Sequence, residues 1–232
     1  MDIETNKTVY SKEIEELLEK EKKARLANDH TACADILPEI VQISFDAKEY
    51  KQLNDLIRTL AKKRGQPKKA QINMVQRCMT FIDKIDNIFA KLELVNTLKE
   101  ATEKKIFLEV EYARCALILA KNKENDEKYI DEAAKILQDV QVETYGSMDK
   151  REKLEFILYQ MKIMIKLKDR VRLQIISRKI NKKNINDKSL ADLKAQYYSY
   201  LVYYYTHENK FFENAQAYKA IYDTLKDNEE FQ

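Results

Sequence analysis

The 232 residues include 42 basic and 39 acidic side chains, which gives a formal net charge of only +3 at pH 7. Charges that nearly cancel do not produce the strong positive field that draws a protein to nucleic acid or to an anionic membrane. A hydrophobic fraction of 44% with only two glycines and two prolines provides a core but few turn residues for β-hairpins, so the composition excludes a disordered chain and favours an all-α fold.

The cysteines and the apolar runs indicate the compartment. Cys33, Cys78 and Cys115 are odd in number and far apart, which favours buried thiols in a reducing compartment over a disulfide framework. No apolar run approaches the ~20 residues of a membrane-spanning helix, and the first ten residues lack a signal-peptide core. We therefore expect an intracellular protein with no membrane partner.

Apolar residues at helical spacing predict eleven helices after a disordered segment at residues 1–10. The first helix follows Ser11 and is broken by the pair Asn28 and Asp29. The next two are predicted at 31–45 and 49–63, and the last two at 189–207 and 211–225. The helices between them are marked by Ile72, Val75, Met79 and Ile82; by Phe89, Leu92, Val95 and Leu98; by Ile106, Phe107, Val110, Ala113 and Leu117; by Ile130, Ala133, Ile136, Leu137 and Val140; by Leu154, Ile157, Leu158, Met161 and Ile165; and by Leu173, Ile175, Ile176 and Ile180.

Two features interrupt the first part of this pattern. Pro38 lies inside the second helix, so the helix is expected to kink there or to begin near Leu37. Gly65 and Pro67 form the corner before the fourth helix, with Pro67 suited to a first helical position. Around this corner lie Lys62, Lys63, Arg64, Lys68 and Lys69. This cluster could be a phosphate patch or a nuclear-import signal, but an ordinary solvated loop is the interpretation that the balanced charge favours.

The other glycine, Gly146, lies between the seventh and eighth predicted helices. A glycine can adopt a positive φ without a Cβ clash, so Gly146 is predicted to reverse the chain there. Ser147 is then expected to cap the eighth helix, with Asp149 in its first turn. On this interpretation Gly146→Val should be the most damaging change at any corner.

Five triplets at the spacing i, i+3, i+6 recur in the second helix of successive pairs, and all of their members except Arg170 are apolar or aromatic. Their centres are Leu53, Leu92, Ala133, Leu173 and Ala215, separated by 39 to 42 residues. This period matches arrays of helical hairpins, whose repeats stack into one continuous core. We predict a right-handed, TPR-like α-solenoid over residues 11–228, with these five residues in the repeat core. An irregular helical bundle with coincidental spacing is the alternative.

The sequence predicts no catalytic, cofactor-binding or metal-binding residue. The two glycines are too far apart for a glycine-rich phosphate loop, and no GxSxG elbow is present. His30 and Cys33 have a ligand-like spacing but no second pair, so a helix-start histidine and a buried thiol are favoured. Glu109 and Glu111 are expected on a solvated charged face.

The tenth helix is unusually rich in tyrosine, at Tyr197, Tyr198, Tyr200, Tyr203, Tyr204 and Tyr205. These side chains occupy more than one helix face, so the helix should be covered on two sides. Stacking of RNA bases is the other interpretation. It lacks interleaved Lys or Arg, and we predict no specific affinity for nucleic acid.

Several segments carry a resemblance. In order along the chain they are KKARLANDH, DAKEYKQLNDLIRTLAKKRGQ, ATEKKIFLEVEYARCALILAK, DEAAKILQDVQVETYGSM, EKLEFILYQM and RLQIISRKINKK. Over roughly residues 14 to 225 the chain resembles the PCI-family scaffold subunits of the proteasome regulatory particle lid. An ordered run of this length is specific in a way that a short motif is not.

The resemblance implies an N-terminal array of helical hairpins, then a winged-helix PCI domain and a C-terminal helix. It implies a non-catalytic scaffold in the cytoplasm and nucleus. The implied partners are other lid subunits, including the deubiquitinating subunit, and the ATPase ring and α-ring of the core particle. Because the chain stops at Gln232 without a β-wing pattern, we expect the PCI domain to be absent from it. The alternatives are a related signalosome subunit and an RNA-binding helical repeat.

Overall fold

A computed structural model describes residues 3–181 and 184–226, with side chains for residues 12–181 and 185–226. All regular elements in these residues are helical. The α-helices are α1 (Ile3–Leu26), α2 (His30–Asp46), α3 (Tyr50–Lys62), α4 (Lys68–Met79), α5 (Ile88–Thr102), α6 (Glu109–Glu124), α7 (Ile130–Gln138), α8 (Lys150–Lys166), α9 (Arg170–Ser177), α10 (Ala191–His207) and α11 (Phe211–Lys226). None of the described helices is both long and apolar enough to cross a membrane.

The chain divides into two compact units, residues 1–119 and 120–232. In the first unit α2 packs against α1, α3 and α4, and α3 packs against α5. In the second unit α8 packs against α7, α9 and α10, and α10 packs against α11. Helices two apart in the chain therefore stack, as in arrays of helical hairpins. The predictions of an all-α fold, of stacked hairpins and of about eleven helices are confirmed for the described residues.

The core of the first unit follows the predicted apolar pattern. Leu37, Leu53, Leu60 and Met74 are fully buried, and together they join α2, α3 and α4. Beside them the rings of Phe45 and Phe81 stack, with centroids 4.1 Å apart and planes 9° from parallel. In the second unit the largest fully buried side chains include Leu137 and Phe156.

The first helix begins earlier than predicted. It starts at Ile3, and so runs through residues 3–10, where the sequence predicted disorder, and past the predicted start after Ser11. No glycine or proline lies in residues 1–26, so nothing in the backbone chemistry stops a helix there.

Pro38 neither ends nor delays α2, which continues from His30 to Asp46. Proline has no N–H, so the carbonyl of Ala34, four residues earlier, loses its usual helical partner. Nδ2 of Asn73, on α4, donates to this carbonyl at 3.1 Å. A side chain of the neighbouring helix thus replaces the missing hydrogen bond.

Four corners share a geometry that the sequence did not reveal. One residue in each has a left-handed φ between 54° and 57°: Asn28, Lys48, Lys168 and Asn209. The N–H of the following residue donates to the carbonyl five positions earlier, at 2.9 to 3.2 Å, as in the Schellman motif. These hydrogen bonds stabilise a conformation that costs an L-residue about 1–2 kcal/mol.

Capping side chains follow two of these corners. Asp29 accepts from the backbone N–H groups of Thr31 and Ala32 at 3.2 and 3.0 Å, and Asp169 accepts from that of Arg172 at 2.8 Å. Each aspartate therefore caps the first turn of the next helix. Neither of these two corners needs a glycine. Asn28 or Lys168 adopts the left-handed φ, and the aspartate that follows caps the next helix.

The predicted role of Gly146 is wrong. Gly146 does not adopt a left-handed φ, it is exposed, and a Cβ placed on it would meet no heavy atom within 4 Å. The connection between α7 and α8 is long, and it is held by the buried side chains of Val142 and Met148. A tight reversal at one glycine is therefore unnecessary.

The predicted cap of α8 is also wrong. Ser147 is exposed, and α8 begins only at Lys150. Asp149 is the cap, because its carboxylate accepts from the N–H of Arg151 at 2.8 Å. Gly65 is the glycine with a left-handed φ, of 80°, and Pro67 lies just before α4 instead of inside it.

Candidate interaction surfaces

The described residues contain no group of three or more His, Cys, Asp or Glu side chains that could hold a metal ion. His30 begins α2, and Cys33 is a buried thiol beside it. Cys78 and Cys115 are also buried and free, so the prediction of buried thiols is confirmed. Burial raises the pKa of Cys115 to about 12 and raises that of Cys78 further. Thiols of this kind are inert.

The five predicted repeat-core residues fall into three groups. Leu53, Ala133 and Leu173 are fully buried, whereas Leu92 is half-buried and Ala215 is exposed. Placing Ala215 in the core is therefore wrong. The described side chains that α11 buries are Ala217 and Thr224, which point to a different face of the helix.

The apolar residues of α11 form a second stripe, which is exposed. Phe211, Ala215, Tyr218, Tyr222 and Leu225 follow the spacing i, i+4, i+7, i+11, i+14, and Phe211 is 77% exposed. We call these residues the α11 stripe. It covers one face of the helix, and the described residues leave it open to solvent.

Other predicted core residues are also at the surface. Phe89, in the first turn of α5, is 80% exposed, and Ile106, in the connection before α6, is 84% exposed. Ile175 is exposed on α9 beside a cleft of about 220 Å³, which is lined in part by Leu137 and Met164. Periodicity alone assigned these side chains to a core that they do not reach.

The tyrosines of α10 face the protein. Tyr197 and Tyr204 are buried, and the other four are half-buried. The hydroxyl of Tyr197 donates to the carbonyl of Ser177 at 3.3 Å, and burial raises its pKa to about 12. α10 contacts α8, α9 and α11, so the prediction that it is covered on more than one side is confirmed.

Buried carboxylates form a feature that the sequence did not indicate. Glu111 was expected on a solvated face, but it is buried and accepts from Nε2 of Gln76 at 3.1 Å. Glu21 is completely buried and pairs with Nε of Arg25 at 2.9 Å and with Nζ of Lys63 at 2.7 Å. A buried charge must be paired in this way to be tolerated.

A third paired carboxylate, that of Glu124, is half-buried and lies at the end of α6. It pairs with the Nζ atoms of Lys162 and Lys166 at 2.7 and 2.6 Å, and it accepts from the hydroxyl of Tyr159 at 2.7 Å. Burial by itself raises the pKa of Glu124, but the hydrogen bonds from Lys162, Lys166 and Tyr159 outweigh it and lower the pKa to about 2. The cluster ties α6 to α8 and is structural.

Basic side chains from two connections of the first unit, α3–α4 and α5–α6, lie close together. Nζ of Lys105, from the α5–α6 connection, donates to the carbonyl of Ala61 at 3.1 Å and to Oε1 of Gln71 at 2.7 Å. These acceptors lie at the end of α3 and in the first turn of α4. Nζ of Lys68 lies 5.8 Å from the ring centroid of Phe107. The cations of both connections therefore converge.

The chain is similar in sequence to known subunits of the 26S proteasome. The family described as PSMD12/CSN4, N-terminal, matches residues 12–230. A 26S proteasome non-ATPase regulatory subunit 12 from Dictyostelium discoideum is 42% identical over 211 residues, which cover 91% of this chain and 47% of the relative. The 26S proteasome regulatory subunit RPN5 from Saccharomyces cerevisiae is 38% identical over 213 residues, which cover 91% and 48%.

A third relative extends the comparison to plants. Homolog B of 26S proteasome non-ATPase regulatory subunit 12 from Arabidopsis thaliana is 40% identical over 242 residues, covering 94% of this chain and 54% of the relative. The chain thus spans about half the length of the curated relatives it matches. Among solved structures, BtubC (BKLC) from P. vanneervenii has a TM-score of 0.42 at 14% identity, covering 97% of this chain and 91% of its own. That likeness is too low to support an argument.

Proposed function

Because the chain belongs to the PSMD12/CSN4 N-terminal family, we propose that it is a non-catalytic scaffold of the 26S proteasome regulatory particle lid. In this role it supports the degradation of ubiquitinated proteins through protein–protein contacts. The observation that carries the proposal is the identity of 38% to 42% with relatives named as 26S proteasome regulatory subunits, over about nine-tenths of the chain.

The architecture supports a scaffold role. Stacked helical hairpins present long surfaces on which several partners can bind. The buried Glu21 and the half-buried Glu124 pair with lysines from other segments of the chain, Lys63 and Lys162. They are engaged in holding hairpins together, so we propose that they take no part in a reaction and that the protein is not an enzyme.

The proposed partners are other lid subunits, among them the deubiquitinating subunit. Contacts with the ATPase ring and with the α-ring of the core particle are part of the same proposal, as is a location in the cytoplasm and nucleus. The family description also includes CSN4, so a signalosome subunit is the second candidate. The relatives compared above are all named as proteasome subunits, and this favours the lid.

The experiment is a purification from the cell that makes the protein, with a tag on the chain and identification of the bound proteins by mass spectrometry. We expect lid subunits to be recovered together. The control is Leu173→Asp, which places a charge at a fully buried position and should unfold the second unit. Subunits that bind the folded protein are lost with this variant, whereas non-specific contaminants remain. Recovery of signalosome subunits, or of no proteasome subunit, would overturn the proposal.

A further inference from the structure

The basic corner is defined by two groups of side chains in the first unit. The first group, at the α3–α4 connection, is Lys62, Lys63, Arg64, Lys68 and Lys69, and the second, at the α5–α6 connection, is Lys104 and Lys105. Since Lys105 donates to both Ala61 and Gln71, the two groups form one surface. Such a concentration of one sign is notable in a chain whose net charge is only +3.

Few carboxylates neutralise this surface. Glu21 is already shared between Arg25 and Lys63, and Glu103 lies 3.6 Å from Lys104. In the described part of the chain no ion pair joins Lys62, Arg64, Lys68 or Lys69 to an acid. A cluster of unneutralised cations repels itself, and it attracts an anionic partner by the same field.

The start of α4 increases the positive potential. The N-terminal end of a helix carries partial positive charge and favours acids in its first turn. α4 instead begins with Lys68 and Lys69, has no acid in its first turn and no side-chain cap from Pro67. The side chain of Gln66 beside it is more than nine-tenths buried, and neither of its polar atoms has a hydrogen-bond partner in the described structure. Cations and the uncapped N–H groups of α4 thus meet at one place, and the unpaired amide of Gln66 is buried next to them in the chain.

We propose that the basic corner is a docking surface for an acidic segment of a partner protein, whose carboxylates bind to the lysines and to the start of α4. This inference rests on the proposed scaffold function in one respect: the scaffold role is the reason for taking the partner to be a protein. Carboxylates suit the surface because each accepts charge-assisted hydrogen bonds from ammonium and backbone N–H donors.

Two other uses of the same residues fit the structure less well. A nucleic acid needs a longer track of cations with aromatic stacking partners, whereas Phe107 is partly buried under Lys68. A linear import signal must be free to extend. Here Lys63 pairs with Glu21, the carbonyl of Arg64 accepts from Arg25 at 3.2 Å, and Gln66 is buried, so the segment is folded into the corner.

The test uses the full chain and fluorescence anisotropy with two probes: a short labelled peptide of glutamate and glycine, and a single-stranded RNA of the same net charge. The variant is Lys68→Glu with Lys69→Glu. Acids at these positions favour the helix, so the variant should fold. The matched control is Lys219→Glu with Lys226→Glu, which makes the same change of charge at two exposed lysines of α11. Thermal melting confirms the fold of both.

We expect the wild-type chain to bind the peptide with an affinity that falls as salt rises. The Lys68→Glu, Lys69→Glu variant should bind about tenfold more weakly, and the control within about twofold of wild type. Equal losses in both variants would overturn the proposal, because any lysine would then serve. Tighter binding of the RNA, lost with the same variant, would overturn it in favour of nucleic acid. Peptide binding requires no proteasome subunit, so its outcome is independent of the co-purification.

Discussion

Replacing each of the two glycines with alanine should change stability in opposite directions. An added Cβ would meet no heavy atom within 4 Å at either site, so packing contributes to neither change. At Gly146 the left-handed conformation is absent, and alanine should stabilise by about 0.4–1 kcal/mol because it restricts the unfolded chain. At Gly65, where φ is 80°, the same gain is opposed by a strain of about 1–2 kcal/mol. Gly65→Ala should therefore destabilise by roughly 0.5–1 kcal/mol.

The difference between the two variants isolates the backbone strain, since the unfolded-chain contribution is common to both. Urea denaturation followed by circular dichroism measures each change, and a change of 1 kcal/mol shifts the melting temperature of a chain this size by about 2–4 °C. Because the glycines lie in different units, Lys48→Gly and Lys168→Gly supply a reference in each, and both should stabilise by removing strain at their left-handed φ. A Gly65→Ala variant as stable as wild type would refute the reasoning. If Gly146→Ala lowered the free energy of unfolding by more than 1 kcal/mol, Gly146 would adopt the left-handed φ that the sequence predicted.

Two further predictions concern half-buried polar side chains. Asn73→Leu should destabilise the fold by about 1–3 kcal/mol, because the Ala34 carbonyl is then left without a donor. In a Pro38→Ala background, residue 38 again has an N–H for this carbonyl, so urea denaturation should show a smaller loss of stability from Asn73→Leu. An unchanged loss would assign the effect to packing. In the folded protein, hydrogen bonds from Lys162, Lys166 and Tyr159 lower the pKa of Glu124 from 4.5 to about 2. The stability that the ionised carboxylate contributes is therefore fully present above pH 4.5 and is lost as the pH falls toward 2. The stability difference between wild type and Glu124→Gln should therefore be constant at neutral pH and shrink in acid, and a difference independent of pH would show that the carboxylate is not held ionised by Lys162 and Lys166.

The fold class could be predicted because it depends on averages over the chain. Scarce glycine and proline, together with apolar residues at helical spacing, required stacked helices, and the family resemblance added the function. Carboxylates that form ion pairs inside the protein could not be found in this way. In the sequence, Glu21 and Glu124 resemble the many solvated acids beside them, and only the approach of Lys63 or Lys162 from another segment of the chain distinguishes them.

The corners were missed for a different reason. Glycine is the residue that most readily adopts a left-handed φ, and for that reason the chain reversal was predicted at Gly146. At the observed corners, hydrogen bonds across the end of the helix hold Lys48 or Lys168 in that conformation. A lysine carries no sequence signal for this role. The only hint in the sequence is the acid that follows each lysine, Glu49 or Asp169. Among these corners, only the pair Asn28 and Asp29 was predicted from the sequence to break a helix.

The error at Ala215 shows what a repeat pattern can specify. In an array of hairpins each helix has neighbours on more than one side, so one helix can carry two apolar stripes. Periodicity finds a stripe but does not determine whether it faces inward. On α11 the stripe containing Ala215 is exposed, and the buried face passes through Ala217 and Thr224. The spacing of the exposed stripe is that of a core helix, because the same side chains would be buried equally well by another helix on that side. Whether a stripe is core or surface therefore depends on the next element in the stack and is not encoded in the helix itself.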